Sequence, residues 1–379
     1  MNYFKLILLL FSSLILVNSP RLLARSEEKE TKGTSKEKLI FAIDVIRHGD
    51  RNPIIAIPAV AHDWPEGLGQ LTALGMHQEY ELGKKCRHDY VNKEKLLPSS
   101  YQKGTLYVRS TDIDRTLMSA TCFLTGLYPP GSGPTIGHSL FSLAALPHRC
   151  QPIPIHTAPA TQDPLLIPDI RKELDEYVFS TPEWRQKVSA LKSHFSSWSR
   201  ATGVPIKSEK EVGFLGDTLF ILKLKHIAVP KELSEEDTQR IIAQEKKEFK
   251  TLFNHPAVGK AAGGPLLRDI SCYLEAAANF NKNISPKSPV CREPHLKYVL
   301  YSAHDSTILG LMSALGVPLQ NNPPYASDVK ILLFEHADHS MFVRLLYNDK
   351  PIVLACCDSH GCCSLESFLR IAKAIPIKK

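Results

Sequence analysis

The chain has little of what would mark a membrane protein or a nucleic-acid-binding protein. Its one long apolar run, Leu6 to Val17, is shorter than the ~20 residues a bilayer-spanning helix needs, and no later stretch is as long or as apolar. Charge of one sign is scarce too: 46 Lys and Arg against 39 Asp and Glu leave a formal net charge of +7. That excess suits small anionic ligands. Without a basic stripe or a recognition motif, nucleic acid is excluded as a partner. No Gly-x-Ser-x-Gly elbow is present, which removes support for a serine hydrolase. No internal repeat occurs, so a solenoid is excluded.

What is there begins with an export signal. Lys5 supplies a positive start, Leu6 to Val17 the apolar segment, and Ser19 or Ala24 a small residue at which cleavage fits. Residues 1–24 are therefore expected to be a signal peptide and 25–38 a charged linker that should not be forced into structure. The mature chain is expected to be exported (periplasmic, secreted or in a lysosome-like lumen) with no stable membrane anchor. Asn283-Ile-Ser285 is a glycosylation sequon only in a eukaryotic host. Of the 9 cysteines, four crowd into Cys356-Cys-Asp-Ser-His-Gly-Cys-Cys363. Zinc, with His360 as a further ligand, is one reading. Structural zinc sites usually draw on two separated knuckles, so a disulfide-closed loop in an oxidising compartment is preferred.

From Leu39 to about Leu127 strand and helix signals alternate. Leu39-Ile-Phe-Ala-Ile-Asp-Val-Ile46 reads as a buried strand, and Thr72 caps a helix reaching about Tyr90. Thr105 to Val108 is a strand ending in Arg109, followed by a helix from Ile113 to Leu127. The middle is helical by pattern: Ile170 to Phe179, Pro182 to Arg200, Glu235 to Phe253 and Leu266 to Phe280. The capping signature Ser234-Glu-Glu-Asp237 marks one start. The sheet resumes at Lys297 to Ser302, with a helix from Ser306-Thr307, and Val329 to Glu335 with Met341 to Tyr347 reads as a hairpin. The expected fold class is α/β: a doubly wound, mostly parallel sheet flanked by helices, with an inserted smaller helical cap. Residues 39–155 and 290–379 form the α/β domain and 156–289 the cap.

The chemistry concentrates in Arg47-His-Gly-Asp-Arg-Asn-Pro53, at the end of the first strand. Two guanidinium forks can hold phosphate oxygens while the imidazole between them attacks phosphorus. His304-Asp305 ends a second apolar run, at a predicted helix start that favours an anion. His48 is the candidate nucleophile and Asp305 the candidate proton donor. Arg47, Arg51, Arg109 and His304 are candidate phosphate ligands. Structural readings stand beside these: Asp305 can cap its helix, His304 can be a satisfied core histidine, and Arg109 can pair with Asp112 or Asp114. Asp112, Asp114 and Arg115 read as structural.

Residues 47–53 resemble the RHGxRxP signature of the histidine acid phosphatase family, and Tyr301-Ser-Ala-His-Asp305 resembles its second signature. Gly69-Gln-Leu-Thr72, Arg109 to Ala120 and Pro152 to Thr157 are similar to the same stretches of its prostatic and lysosomal members. The likeness runs from about Lys38 to about Phe368. It implies the residue roles just given, no metal, no organic cofactor, and small phosphomonoesters as substrates, phosphoproteins among them. It also implies an exported acid phosphatase working through phosphohistidine, and a homodimer. The alternatives are a phytase or other specialised histidine phosphatase and, from another class, a non-catalytic phosphate- or phospholipid-binding protein. The cysteine pattern departs from the family: Asp328 stands where those enzymes commonly have cysteine, and the doubled cysteines near 356 and 362 are unusual, so no pairing transfers.

Overall fold

Strand β1 (Lys38–Arg47) is buried along almost its whole length and organises the rest. A computed structural model describes residues 37–137, 143–281 and 295–375. The signal segment, most of the linker, Asn283 and Cys291 lie outside the described residues. After β1 come α1 (Ala73–Cys86), which a π-helical stretch Arg87–Lys93 extends, then β2 (Leu106–Ser110), α2 (Asp114–Leu127) and a small ribbon of β3 (Thr135–Ile136) and β4 (Leu143–Ala144). The helical middle contains α3 (Arg171–Leu174), α4 (Pro182–Lys192), α5 (Phe195–Thr202), α6 (Glu209–Leu224), α7 (Glu235–Asn254) and α8 (Pro256–Asn281). The chain then returns through β5 (Tyr298–Ala303), α9 (Asp305–Ala314), β6 (Asp328–Glu335), β7 (Met341–Tyr347), β8 (Lys350–Ile352), β9 (Cys362–Ser364) and α10 (Leu365–Lys373).

The main sheet runs β2-β5-β1-β6-β7-β8, with β9 also on β7. β2, β5 and β1 are parallel; β6 to β9 continue the sheet antiparallel, and the expected hairpin is its β6–β7 part. The alternation of a strand sorts β1 onto two cores. Phe41, Ile43 and Val45 pack with Leu267 and Ile270 of α8, Ile308 and Leu311 of α9 and Phe368 of α10. Ala42 and Ile46 pack with Cys86, Tyr90 and, from α2, Phe123 and Leu124. Helices thus cover both faces, as an α/β sheet requires. Asp44 is buried on the second face, where Tyr90, Tyr298 and Cys86 donate to its carboxylate. Burial nevertheless pushes its pKa up to about 6.

Three segments of the helical middle differ from expectation, the first being α8, which starts at Pro256 rather than at Leu266. The helix expected over Pro182 to Arg200 is broken into α4 and α5 around Ser193-His194. Helix α6 has no counterpart among the helices expected from sequence. Its apolar residues Val212, Phe214, Leu215, Leu219, Phe220 and Ile221 fall all around the helix and give no stripe. A readable start was present, however, in Ser208-x-x-Glu211, where Glu211 accepts from the Ser208 backbone N–H at 2.7 Å. α6 builds a separate core with α5, α7 and the loop after β1: Val212, Leu215, Leu219 and Leu222 pack with Trp198, Ile241 and Ile57. Near the C-terminus, Cys357 and Cys363 form a disulfide, while Cys356 and Cys362 are free thiols.

Candidate active site

Three parallel strands end together, and the candidate residues sit at those carboxyl ends, where open α/β sheets bind ligands. β1 delivers Arg47 and then His48, whose backbone N–H donates to Ala303 at the end of β5 at 3.0 Å. Gly49 is required at the next position. A Cβ there would lie 2.3 Å from the Gly75 carbonyl oxygen, so the loop can press onto the first turn of α1 only without a side chain. Further bonds fix that loop: Asp50 N–H to Gln78 Oε1 at 2.8 Å, Gly49 N–H to Ser119 Oγ, and Thr72 N–H to the Asp50 carbonyl.

His48 is buried. Its Nδ1 lies 2.9 Å from the Gly49 carbonyl oxygen. A carbonyl only accepts, so the proton is on Nδ1 and the lone pair is on Nε2. Burial holds the imidazole pKa well below its usual value, and the neighbouring Arg47, Arg115, Arg51 and His304 lower it further. The charged form of the ring is thus disfavoured, and the Nε2 lone pair is left free.

A cavity of about 390 Å³ opens over His48. Arg51, Arg115, Lys210, His304, Asp305 and Asp217 supply its polar wall, and Ile54, Ile113, Leu166 and Phe214 an apolar collar. Arg47 enters through Asp305, which its guanidinium meets at 2.7 Å; it also donates to the Pro323 carbonyl and lies 4.3 Å over the Tyr325 ring. Burial opposes ionisation of Asp305, but the guanidinium groups of Arg47 and Arg51 outweigh it and hold the carboxyl well below the usual range. His304 caps α9. Arg115 can only donate, so its approach to His304 Nδ1 at 3.5 Å leaves the proton on Nε2, which is 3.0 Å from the Thr111 hydroxyl. Burial, then Arg115, pushes the His304 pKa down to about 4.

Of the six residues expected from sequence, five meet here: Arg47, His48, Arg51, His304 and Asp305. Arg109 does not. Its guanidinium turns to Asp163 at 3.6 Å and Asp269 at 3.7 Å, and the pairing expected with Asp112 or Asp114 is not the one formed. The cause is strand alternation: Arg109 shares the half-buried side of β2 with Tyr107, and Asp269 lies on α8. Arg115, read from sequence as structural, lines the cavity from the first turn of α2. Burial lowers its pKa to about 10, which still leaves it a cation in acid. The expected consequence is a division of effects. Arg115→Ala should lower kcat/KM for an aryl phosphate by ~10²–10³-fold, the usual loss on removing one preorganised donor. Arg109→Ala should act mainly on thermal stability, since it leaves buried Asp163 without its cation. Kinetics and melting of the two variants decide; equal kinetic losses would contradict the geometry.

Residues 38–176 and 233–348 match the model of the histidine phosphatase superfamily, branch 2. The chain belongs to that family. Lysosomal acid phosphatase of Xenopus laevis is 33% identical over 355 residues, covering 89% of this chain and 77% of the relative. Human prostatic acid phosphatase is 31% identical, covering 88% and 85%. Among solved structures, the phytase of Citrobacter braakii superposes with a TM-score of 0.63 at 18% identity, covering 90% of this chain and 98% of that one. The apo phytase of Hafnia alvei gives 0.64 at 17%, covering 90% and 97%. These structural matches show that this histidine phosphatase shares their fold. No helix among the described residues is long and apolar enough to cross a membrane.

Proposed function

We propose that the protein is an exported, metal-independent acid phosphatase of broad specificity that hydrolyses phosphomonoesters through a phosphohistidine. The observation that carries this reading is the His48 ring, whose Nδ1–H is held by the Gly49 carbonyl while Nε2 stays neutral among arginines. Nε2 attacks phosphorus and the bond from phosphorus to the ester oxygen breaks. Asp305, at the start of α9, gives that oxygen a proton, and water then opens the phosphoenzyme. Arg47, Arg51 and Arg115 neutralise the charge spread over the non-bridging oxygens. Arg115 takes the place expected of Arg109, and His304 contributes as a neutral ring. The relatives named lysosomal and prostatic acid phosphatase support this activity over that of the phytases, whose likeness is one of fold.

The cap is proposed to lie within residues 156–289, supported by α6, which contributes Lys210, Phe214 and Asp217 to the cavity wall. Export and a homodimeric assembly belong to the same proposal: export is supported by the relatives named lysosomal and prostatic acid phosphatase, and the dimer rests on the resemblance alone. The test is hydrolysis of p-nitrophenyl phosphate and of inositol hexakisphosphate from about pH 4 to about pH 8 with excess EDTA. Acid-favoured turnover of the small ester that survives chelation is expected. Loss with EDTA, or hydrolysis of the inositol phosphate alone, would overturn the reading.

A further inference from the structure

Helix α6 falls in the interval, residues 177–232, that the family match skips. Yet it holds the catalytic loop at three points. Asp217 accepts from both terminal nitrogens of Arg51, at 2.9 and 3.0 Å. The Thr218 hydroxyl donates to the Ile55 carbonyl at 3.1 Å, and Lys225, capping the helix, lies 2.9 Å from Asp50 Oδ2. Lys210, Gly213, Phe214 and Asp217, spaced three and four apart, put one face of α6 on the cavity.

We infer that Asp217 is a positioning residue that aims Arg51 at the phosphate and sets the charge of the site, so that the singly charged phosphomonoester is preferred. The inference rests on the phosphatase reading above. A guanidinium has five N–H donors in fixed directions. The end-on pair of Arg51 goes to Asp217, and a further Nη1–H goes to the Asn52 carbonyl at 3.1 Å. What remains is the side fork, Nε–H with one Nη2–H. Among the described residues, buried Nε has no acceptor. Two parallel N–H groups match two phosphate oxygens. Without the carboxylate, the same guanidinium could turn its end to the ligand, and its direction would no longer be fixed.

Asp217 also acts through its charge, whatever the aim of Arg51. Asp217 faces Arg51 from the β1 loop, Arg115 from α2, Lys210 on its own helix, and His304 and Asp305 from α9; His48 and Tyr325 complete the surroundings. Arg47, Arg51, Arg115 and Lys210 stand against Asp217 and Asp305. A phosphomonoester loses its second proton near pH 6. A fixed carboxylate repels the resulting dianion twice as strongly as the monoanion. Asp217 thereby sharpens the preference for acid through the substrate's charge.

The experiment measures kcat/KM for p-nitrophenyl phosphate and competitive inhibition by inorganic phosphate from about pH 4 to about pH 8 for wild type, Asp217→Asn and Asp217→Glu. Asp217→Asn should lose about tenfold in kcat/KM at acid pH through a loosened Arg51. The alkaline limb of both profiles should move up by about one pH unit. Asp217→Glu, which keeps the charge, should keep the wild-type limb whatever its kcat. Asp217→Ser repeats the neutral case if the asparagine variant does not fold. Wild-type turnover with a superimposable Asp217→Asn profile, or the same shift in Asp217→Glu, overturns the inference and leaves the phosphatase reading standing. Absence of turnover in the wild type overturns that reading, and this one with it.

Discussion

His48→Ala should lower turnover of p-nitrophenyl phosphate by ~10⁴-fold or more while leaving the melting temperature close to wild type. The loss is that large because the nucleophile is the one part of the site that forms a bond. Arginines that merely position phosphate would still bind it in the variant, so inorganic phosphate should remain an inhibitor of whatever activity survives. Stability should change little because the ring contributes one hydrogen bond, to the carbonyl of its own neighbour Gly49, and the backbone N–H to Ala303 is unaffected. A variant with both normal melting and near-normal turnover would remove His48 from the mechanism.

The second large effect depends on the leaving group. Asp305→Ala should slow alkyl phosphates by ~10²–10⁴-fold, because an alkoxide needs a proton as it departs. For p-nitrophenyl phosphate the loss should be far smaller, since a nitrophenolate leaves without one. The ion pair with Arg47 sharpens this expectation. In the free enzyme Arg47 at 2.7 Å holds Asp305 ionised, so it has no proton to give. A phosphate oxygen that competes for Arg47 weakens that pair, and the singly charged ester brings a proton of its own. Asp305 passes that proton to the leaving oxygen. Equal losses on alkyl and aryl esters would reduce Asp305 to a cap for α9 and a partner for Arg47.

Much of this was legible in the sequence, and for physical reasons. Leu39 to Ile46 is apolar on both sides because β1 is covered on both faces, and an Arg-His-Gly-Asp-Arg run can follow it only where the strand emerges at a sheet end. His304-Asp305 is legible for the same reason, at the end of β5. Arg109 misled because it stands next to the strand end in sequence, while period-two alternation turns its side chain toward the face that α8 covers. The alternation of Leu106, Tyr107, Val108 and Arg109 could have signalled that. Arg115 reads as structural because a helix start offers partners to any charged residue. Asp217 could not be read at all: 166 positions separate it from Arg51, and no local pattern records a contact made only by tertiary packing.

On this mechanism phosphate passes through a covalent bond to Nε2 of His48. The most direct measurement mixes wild-type protein with excess p-nitrophenyl phosphate, quenches in alkali, where phosphohistidine survives, and maps the modified peptide by mass spectrometry. Phosphate on His48 in the wild type, and none in His48→Ala, is the predicted result. Active wild-type protein whose His48 peptide stays unmodified throughout turnover, with free phosphate released at the same rate, would contradict it.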